Sequence, residues 1–186
     1  MDFLHQKVLP AVRQMKDFEA LLKSRFEYLV LLDSHVGQLK HIVQMSKKHH
    51  KKMLVHVDLI NGLRNDEYAT EFLCQEIRPA GVISTRKSAV LTAKKNKVLA
   101  IQRLFLLDTT ALETSYRLLE QTQPDYIEVL PGIMPHIIAE VYERVKIPVL
   151  AGGLIRTVED AECAFSGGAV AVTTSRKEIW HHYENK

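Results

Sequence analysis

Two short stretches near the end of the chain have residue types suited to holding an anion. The first is Gly152-Gly153, which follows the apolar run Pro148 to Ala151 and precedes Thr157. The second is Thr173-Thr174-Ser175, which follows the small apolar run Ala169 to Val172. Small residues and hydroxyls between a strand and a helix leave backbone N–H groups free to face a ligand, and the helix N-terminus adds a partial positive charge. The chemistry this suits is the binding of a phosphate or a similar anion. One glycine pair by itself also fits a tight turn that needs positive φ. Two such turns closing successive strand–helix units is the pattern of the phosphate site after strands seven and eight of an eight-stranded barrel.

Further polar residues end other apolar runs. Asp33 ends Tyr28 to Asp33, Asp58 ends Met53 to Asp58, and Arg86 ends Gly81 to Arg86. Arg103 and Glu128 lie within Val98 to Phe105 and Tyr126 to Pro131. Side chains alternate along a strand, so His56 and Asp58 are expected on one face. Each residue alone also fits an ion pair that seals a barrel end. Together Asp33, His56, Asp58, Arg103 and Glu128 suit a pocket for a small polar ligand, because buried charges need partners. Asp58 or Glu128 would serve as a general base if the site were catalytic. No lysine stands in the C-terminal half of a strand, which argues against Schiff-base chemistry. No catalytic residue is assigned. The pairs His49-His50 and His181-His182 sit at helix ends and point apart, so no metal site is expected.

These residues need a scaffold that places strand ends side by side. The apolar runs alternate with helical patterns along the whole chain, from Val8 to the final helix. Helices are expected from Asp17 as N-cap to Ser24, over Val36 to His49, Tyr68 to Ile77, after Arg86 through Lys94, and over Ile133 to Val145. Thr110 with Glu113, and Ser175 with Glu178, have capping-box spacing, while Thr157 starts a helix carrying Glu159 and Asp160 in its first turn. Pro79, Pro124 and Pro148 stand just before strands, where a helix must stop. Eight strand–helix units imply a parallel sheet covered by helices, and closure gives a compact α/β fold, a (β/α)8 TIM-like barrel with the phosphate site after strands 7 and 8. An open doubly wound sheet accounts for the alternation but not for the last two turns.

The chain has 186 residues, with 46% hydrophobic and 25% charged residues and a net charge of +3. That suits a single domain over 1–186. No apolar run has the length of a membrane span. Only Cys74 and Cys163 occur, both in apolar helical patterns. Two reduced, buried thiols in a cytoplasmic protein are expected.

Assembled, the sequence resembles the glycerol-3-phosphate-responsive antiterminator family of bacteria over essentially its whole length. The stretches that carry the resemblance are Val55–Ile60 (VHVDLI), Phe72–Arg86 (FLCQEIRPAGVISTR), Ala100–Asp108 (AIQRLFLLD), Ile127–Gly132 (IEVLPG), Ala151–Thr157 (AGGLIRT) and Ala169–Ser175 (AVAVTTS). The resemblance implies a cytoplasmic regulator without a cofactor. Its effector would be glycerol 3-phosphate and its partner the leader mRNA of glycerol genes, where it prevents premature termination. A homo-oligomer is compatible with this. The alternative is a barrel enzyme acting on a small phosphate ester, either an isomerase or a glycerol-phosphate prenyltransferase-like protein. Fold alone does not separate the two.

Lysines and arginines collect where helices lead into strands, at the end of the barrel opposite the ligand mouth. Lys47, Lys48, Lys51, Lys52, Lys94, Lys95 and Lys97 are the candidate RNA contacts, with Lys23, Arg25, Arg144 and Lys146 beside them. Helix C-termini favour such cations for dipole reasons alone. Arg64, Arg156, Arg176 and Lys177 near the mouth form the rival surface.

Overall fold

The computed structural model describes residues 5–184. Eight strands form a closed barrel: β1 (Val8–Val12), β2 (Tyr28–Leu31), β3 (Lys52–His56), β4 (Gly81–Ser84), β5 (Leu99–Phe105), β6 (Tyr126–Leu130), β7 (Val149–Gly152) and β8 (Ala171–Thr174). Each strand pairs in parallel with its sequence neighbours, and β1 pairs with β8 to close the ring. The helices between them are α1 (Met15–Leu21), α2 (Val36–Lys48), α3 (Glu67–Phe72), α4 (Lys87–Lys95), α5 (Thr109–Thr122), α6 (Pro135–Val145), α7 (Val158–Ser166) and α8 (Lys177–Glu184). A π-helical turn over Leu73–Ile77 extends α3. This is the (β/α)8 architecture that strict alternation implies.

The strands are apolar on both faces because both faces are buried. Leu9, Tyr28, Val30, Leu54, Ile83, Ile101, Tyr126 and Leu150 fill the barrel. Their neighbours, such as Leu29, Met53, Val82 and Ile127, face outward and pack with Phe18, Leu39, Ile42, Leu73, Val90, Leu119 and Ile138 of the helices. A two-residue parallel ladder joins Ser34–His35 to Ile60–Asn61 above the barrel. It ties the loop after β2 to the loop after β3. Among the described residues no helix is long and apolar enough to cross a membrane.

Several local expectations are corrected. Gln14, in extended conformation, is the N-cap of α1, and Asp17 lies in the first turn, where Lys177 Nζ meets it at 2.5 Å. Asp108 caps α5 by accepting from Ala111 N at 2.7 Å, so Thr110 and Glu113 already lie inside the helix. Asp108 outcompetes Thr110 because its carboxylate reaches the free N–H groups of the first turn. Helix α8 opens at Lys177, two positions after Ser175. The Thr157 cap forms as a reciprocal box with Asp160. Cys74 is buried and its thiol is pushed up to about 11 by loss of water, whereas Cys163 is exposed.

Candidate functional site

The turn after β7 is shaped by two adjacent glycines with different tasks. Gly152 is buried, and a Cβ there would stand 2.5 Å from Thr173 Oγ1 and 2.8 Å from Glu128 Oε1. Glycine at 152 therefore makes room for the carboxylate of a neighbouring strand. Gly153 and Leu154 both take positive φ, 69° and 59°. They swing the chain over the strand ends before Thr157 starts α7. The turn after β8 is stitched to this one: Thr174 Oγ1 donates to the carbonyl of Ile155 at 2.9 Å and accepts from Arg176 N at 3.2 Å. Trp180 Nε1 donates to the Thr174 carbonyl at 2.8 Å and anchors α8 against the turn.

The two turns border a cleft of about 360 Å³ at the C-terminal ends of the strands. Gly153, Thr173, Thr174 and Ser175 lie in its wall, with the arginines Arg13, Arg103, Arg156 and Arg176. Arg13, directly after β1, belongs to this wall although sequence reasoning passed over it. Its position one residue beyond the apolar run Val8–Val12 was the available signal.

Beneath the cleft, inside the barrel, lies a buried polar cluster. Glu128 has no exposed surface. Its Oε2 accepts from Arg103 Nε at 2.6 Å and its Oε1 accepts from Thr173 Oγ1 at 2.5 Å. Arg103 lies beside Glu128 in the β5–β6 register, which places both inward. His56, on the last residue of β3, is 2% exposed, and neither ring nitrogen has a partner within the protein. Burial and the nearby Arg103 charge lower its pKa from 6.5 to about 4. The imidazole is therefore neutral near pH 7. It offers one donor and one acceptor, the complement of a hydroxyl group.

The carboxylates expected beside His56 do not join this cluster. Strand β3 ends at His56, and Asp58 sits in the 3-10 turn Val57–Leu59. It is therefore not on a common strand face with His56. Its Oδ1 accepts from Ser84 Oγ at 2.5 Å, and its Oδ2 accepts from Thr85 N at 2.7 Å and Thr85 Oγ1 at 2.8 Å. Those bonds brace the loop after β3 against the loop after β4. Asp33 lies beyond β2, is exposed, and accepts from Asn61 Nδ2 at 3.3 Å. Both acids line a separate depression beside the cleft. Arg86 is exposed at the start of α4.

The candidate RNA lysines divide into two groups. Lys47, Lys48, Lys95 and Lys97 are exposed. Lys51 is buried, donates to the Ser24 carbonyl at 2.5 Å, and has its pKa lowered by loss of water. Lys52 pairs with Glu27 at 2.7 Å and lies over the Tyr28 ring. Lys94 Nζ reaches the carbonyls of Thr122 and Gln123 at the end of α5. Lys51, Lys52 and Lys94 thus hold the bottom of the barrel together, which corrects their place in a free basic surface. Among the described residues no group of histidines, cysteines and acids could hold a metal ion.

Fold and site define a compact (β/α)8 barrel with an arginine-lined cleft over a buried Arg–Glu–Thr–His cluster. A model of the glycerol-3-phosphate responsive antiterminator family matches residues 8–180. The chain belongs to that family. It is similar to the glycerol uptake operon antiterminator regulatory protein of Listeria monocytogenes, with 46% identity, a TM-score of 0.94, and coverage of 97% of this chain and 98% of that one. An antiterminator-related protein of Thermotoga maritima is 28% identical, with a TM-score of 0.82 and coverage of 94% and 97%. The uncharacterized protein YgcP of Escherichia coli K12 is 32% identical over 93% of this chain and 91% of its own length. Aldolase barrels at 12–15% identity share the fold alone.

Proposed function

We propose that this protein is a regulator that binds glycerol 3-phosphate in the barrel mouth and, in that state, binds leader mRNA of glycerol genes and prevents termination. The observation that carries this is the cleft itself: four arginines and two glycine- or hydroxyl-rich turns line it, and one of those arginines, Arg103, pairs with buried Glu128 near an unpartnered, neutral histidine. The phosphate is seated by the turns around Gly153 and Thr174–Ser175, with Arg156 and Arg176 beside them and the N-terminus of α8 adding its dipole. The glycerol end points down toward His56, Arg103 and the Glu128–Thr173 pair, where hydroxyls exchange hydrogen bonds with fixed donors and acceptors. The site would work in the cytoplasm, where effector and transcript meet.

The cluster has the look of a binding site more than a catalytic one. Both carboxylate oxygens of Glu128 are already engaged by Arg103 and Thr173, so it is poorly placed to take a proton from a ligand. Among the described residues no lysine stands in the C-terminal half of a barrel strand. The test combines calorimetry with recovery of the ligand. Glycerol 3-phosphate should bind tighter than either inorganic phosphate or glycerol, return unchanged after overnight incubation, and strengthen binding to the leader transcript. Conversion of the ligand, or RNA binding indifferent to it, would overturn the proposal.

A further inference from the structure

The cations at the two ends of the barrel differ in how far they are already engaged within the protein. Lys16, Lys87 and Lys177 stand in the first turns of helices at the mouth, where Lys87 donates to Gln121 and Lys177 pairs with Asp17, and the loops that follow the strands contain five arginines, Arg13, Arg64, Arg86, Arg156 and Arg176. All five are exposed, and among the described residues none forms an ion pair. The acids of the mouth loops have partners nearby: Asp33 accepts from Asn61, Asp58 from Ser84 and Thr85, Asp66 from Ala69 N, and Asp108 from Ala111 N. At the other end most cations are lysines, and Lys51, Lys52, Lys94 and Lys146 are engaged within the protein.

The mouth also exposes apolar side chains. Phe105 and Leu107, at the end of β5 and just beyond it, are 51% and 81% exposed, and Leu59, Ile133 and Leu154 are partly exposed on neighbouring loops. No exposed large hydrophobic lies in the described loops at the opposite end. Unpaired arginines next to an exposed aromatic ring suit single-stranded nucleic acid. Guanidinium groups bind phosphates bidentately and stack on bases, and aromatic and apolar faces receive unstacked bases. Duplex RNA, read mainly through its backbone and shape, would not need the apolar edge.

We propose that the RNA-binding face is the barrel mouth, with an unpaired segment of leader RNA lying across Arg64, Arg86 and the Phe105–Leu107 edge. This rests on the antiterminator reading given above and replaces the bottom surface expected from sequence. The loops after β3, β4 and β5 are neighbours around the barrel, so these residues form one continuous sector. Arg64 and Arg86 stand outside the ligand cleft, whereas Arg13, Arg156 and Arg176 line it. A bound phosphate dianion neutralises part of the cleft charge, which by itself weakens RNA binding. Arg64 and Arg86 lie outside the cleft and keep their charge for RNA when the phosphate is bound. Effector and RNA share one end of the molecule, and no signal has to cross the barrel.

The test is fluorescence anisotropy of a labelled leader transcript from upstream of the glycerol genes, with poly(U) as a composition control, at saturating glycerol 3-phosphate. Arg64→Ala with Arg86→Ala should weaken RNA binding about tenfold or more and lower the salt slope by about 1.4, at roughly 0.7 per lost single-strand phosphate contact. Phe105→Ala should weaken binding at least about fivefold with an unchanged salt slope, because stacking is not ionic. Glycerol 3-phosphate affinity should stay at the wild-type value in both variants, which verifies their folding. Lys47, Lys48, Lys95 and Lys97 changed together to Ala should leave RNA affinity largely intact. Loss of binding in the lysine variant with wild-type binding in the arginine variant would overturn the placement alone. A wild-type dimer that buries the mouth and dissociates in the arginine variant would also overturn it. Failure of the wild type to bind the transcript would overturn the antiterminator reading and this placement with it.

Discussion

Glu128→Ala is the most demanding perturbation of the barrel interior. Glu128 is fully buried, and Arg103, its partner at 2.6 Å, keeps only 10% of its side-chain surface in water. Removing the carboxylate leaves the guanidinium desolvated without a counter-charge and takes the acceptor from Thr173 Oγ1. Breaking a buried pair from one side costs about 3–5 kcal/mol. For a chain of this size that is a fall in Tm of about 6–20 °C. Glu128→Gln keeps the volume and an acceptor for Thr173 but loses the charge, and should cost about 1.5–3 kcal/mol. Adding Arg103→Met to Glu128→Gln removes the stranded cation and should recover part of the loss. Urea denaturation measures these steps. Calorimetry under folding conditions should show glycerol 3-phosphate weakened far more than inorganic phosphate, because the lesion lies at the glycerol end. A stability loss below about 1 kcal/mol for Glu128→Ala would mean that water reaches the pair, and the desolvation argument would fail. Equal losses for both ligands would place the role of Glu128 in the fold or at the phosphate.

Gly153→Asp puts a carboxylate beside the proposed anion seat at a position whose φ is 69°. Aspartate tolerates that conformation better than most residues, so the circular dichroism spectrum should survive while phosphate-ester binding is lost in calorimetry. His56 gives a pH signature. Its folded pKa of about 4 lies below the unfolded 6.5, so the unfolded chain takes up its proton first as the solution is acidified. The stability that the neutral ring confers is complete above 6.5 and is lost as pH falls toward 4, about 3 kcal/mol in all. Urea midpoints of His56→Gln should accordingly fall less steeply than wild type across that window. Lys51→Ala removes a buried donor to the Ser24 carbonyl and should cost about 1–3 kcal/mol in thermal melts, with RNA affinity and its salt slope unchanged.

The architecture was legible because its signals are local. Apolar runs buried on both faces and prolines before strands recur at the spacing of strand–helix units, and each is read within a few residues. The box at Thr157 and Asp160 is local in the same sense. So is the glycine pair, although only the structure assigns its members separate tasks: Gly152 clears space for Glu128, which arrives from another strand. What tertiary structure decided is which polar groups are already taken. Asp58 looks like a partner of His56 on one strand face, but β3 stops at His56, and Ser84 and Thr85, some 26 residues further along, occupy the carboxylate. A strand end displaced by two residues changes where a side chain goes, and sequence alternation carries no mark of it. Lys47, at the end of α2, and Lys51, just before β3, are both basic residues of one short stretch, yet one is in water and the other donates to a carbonyl 27 residues away. His56 reads as any strand histidine until packing shows that both ring nitrogens lack a partner. Residue type and spacing set the candidates, because periodicity is a property of neighbours in the chain. Pairing and desolvation depend on neighbours in space, and those come from residues far apart in sequence.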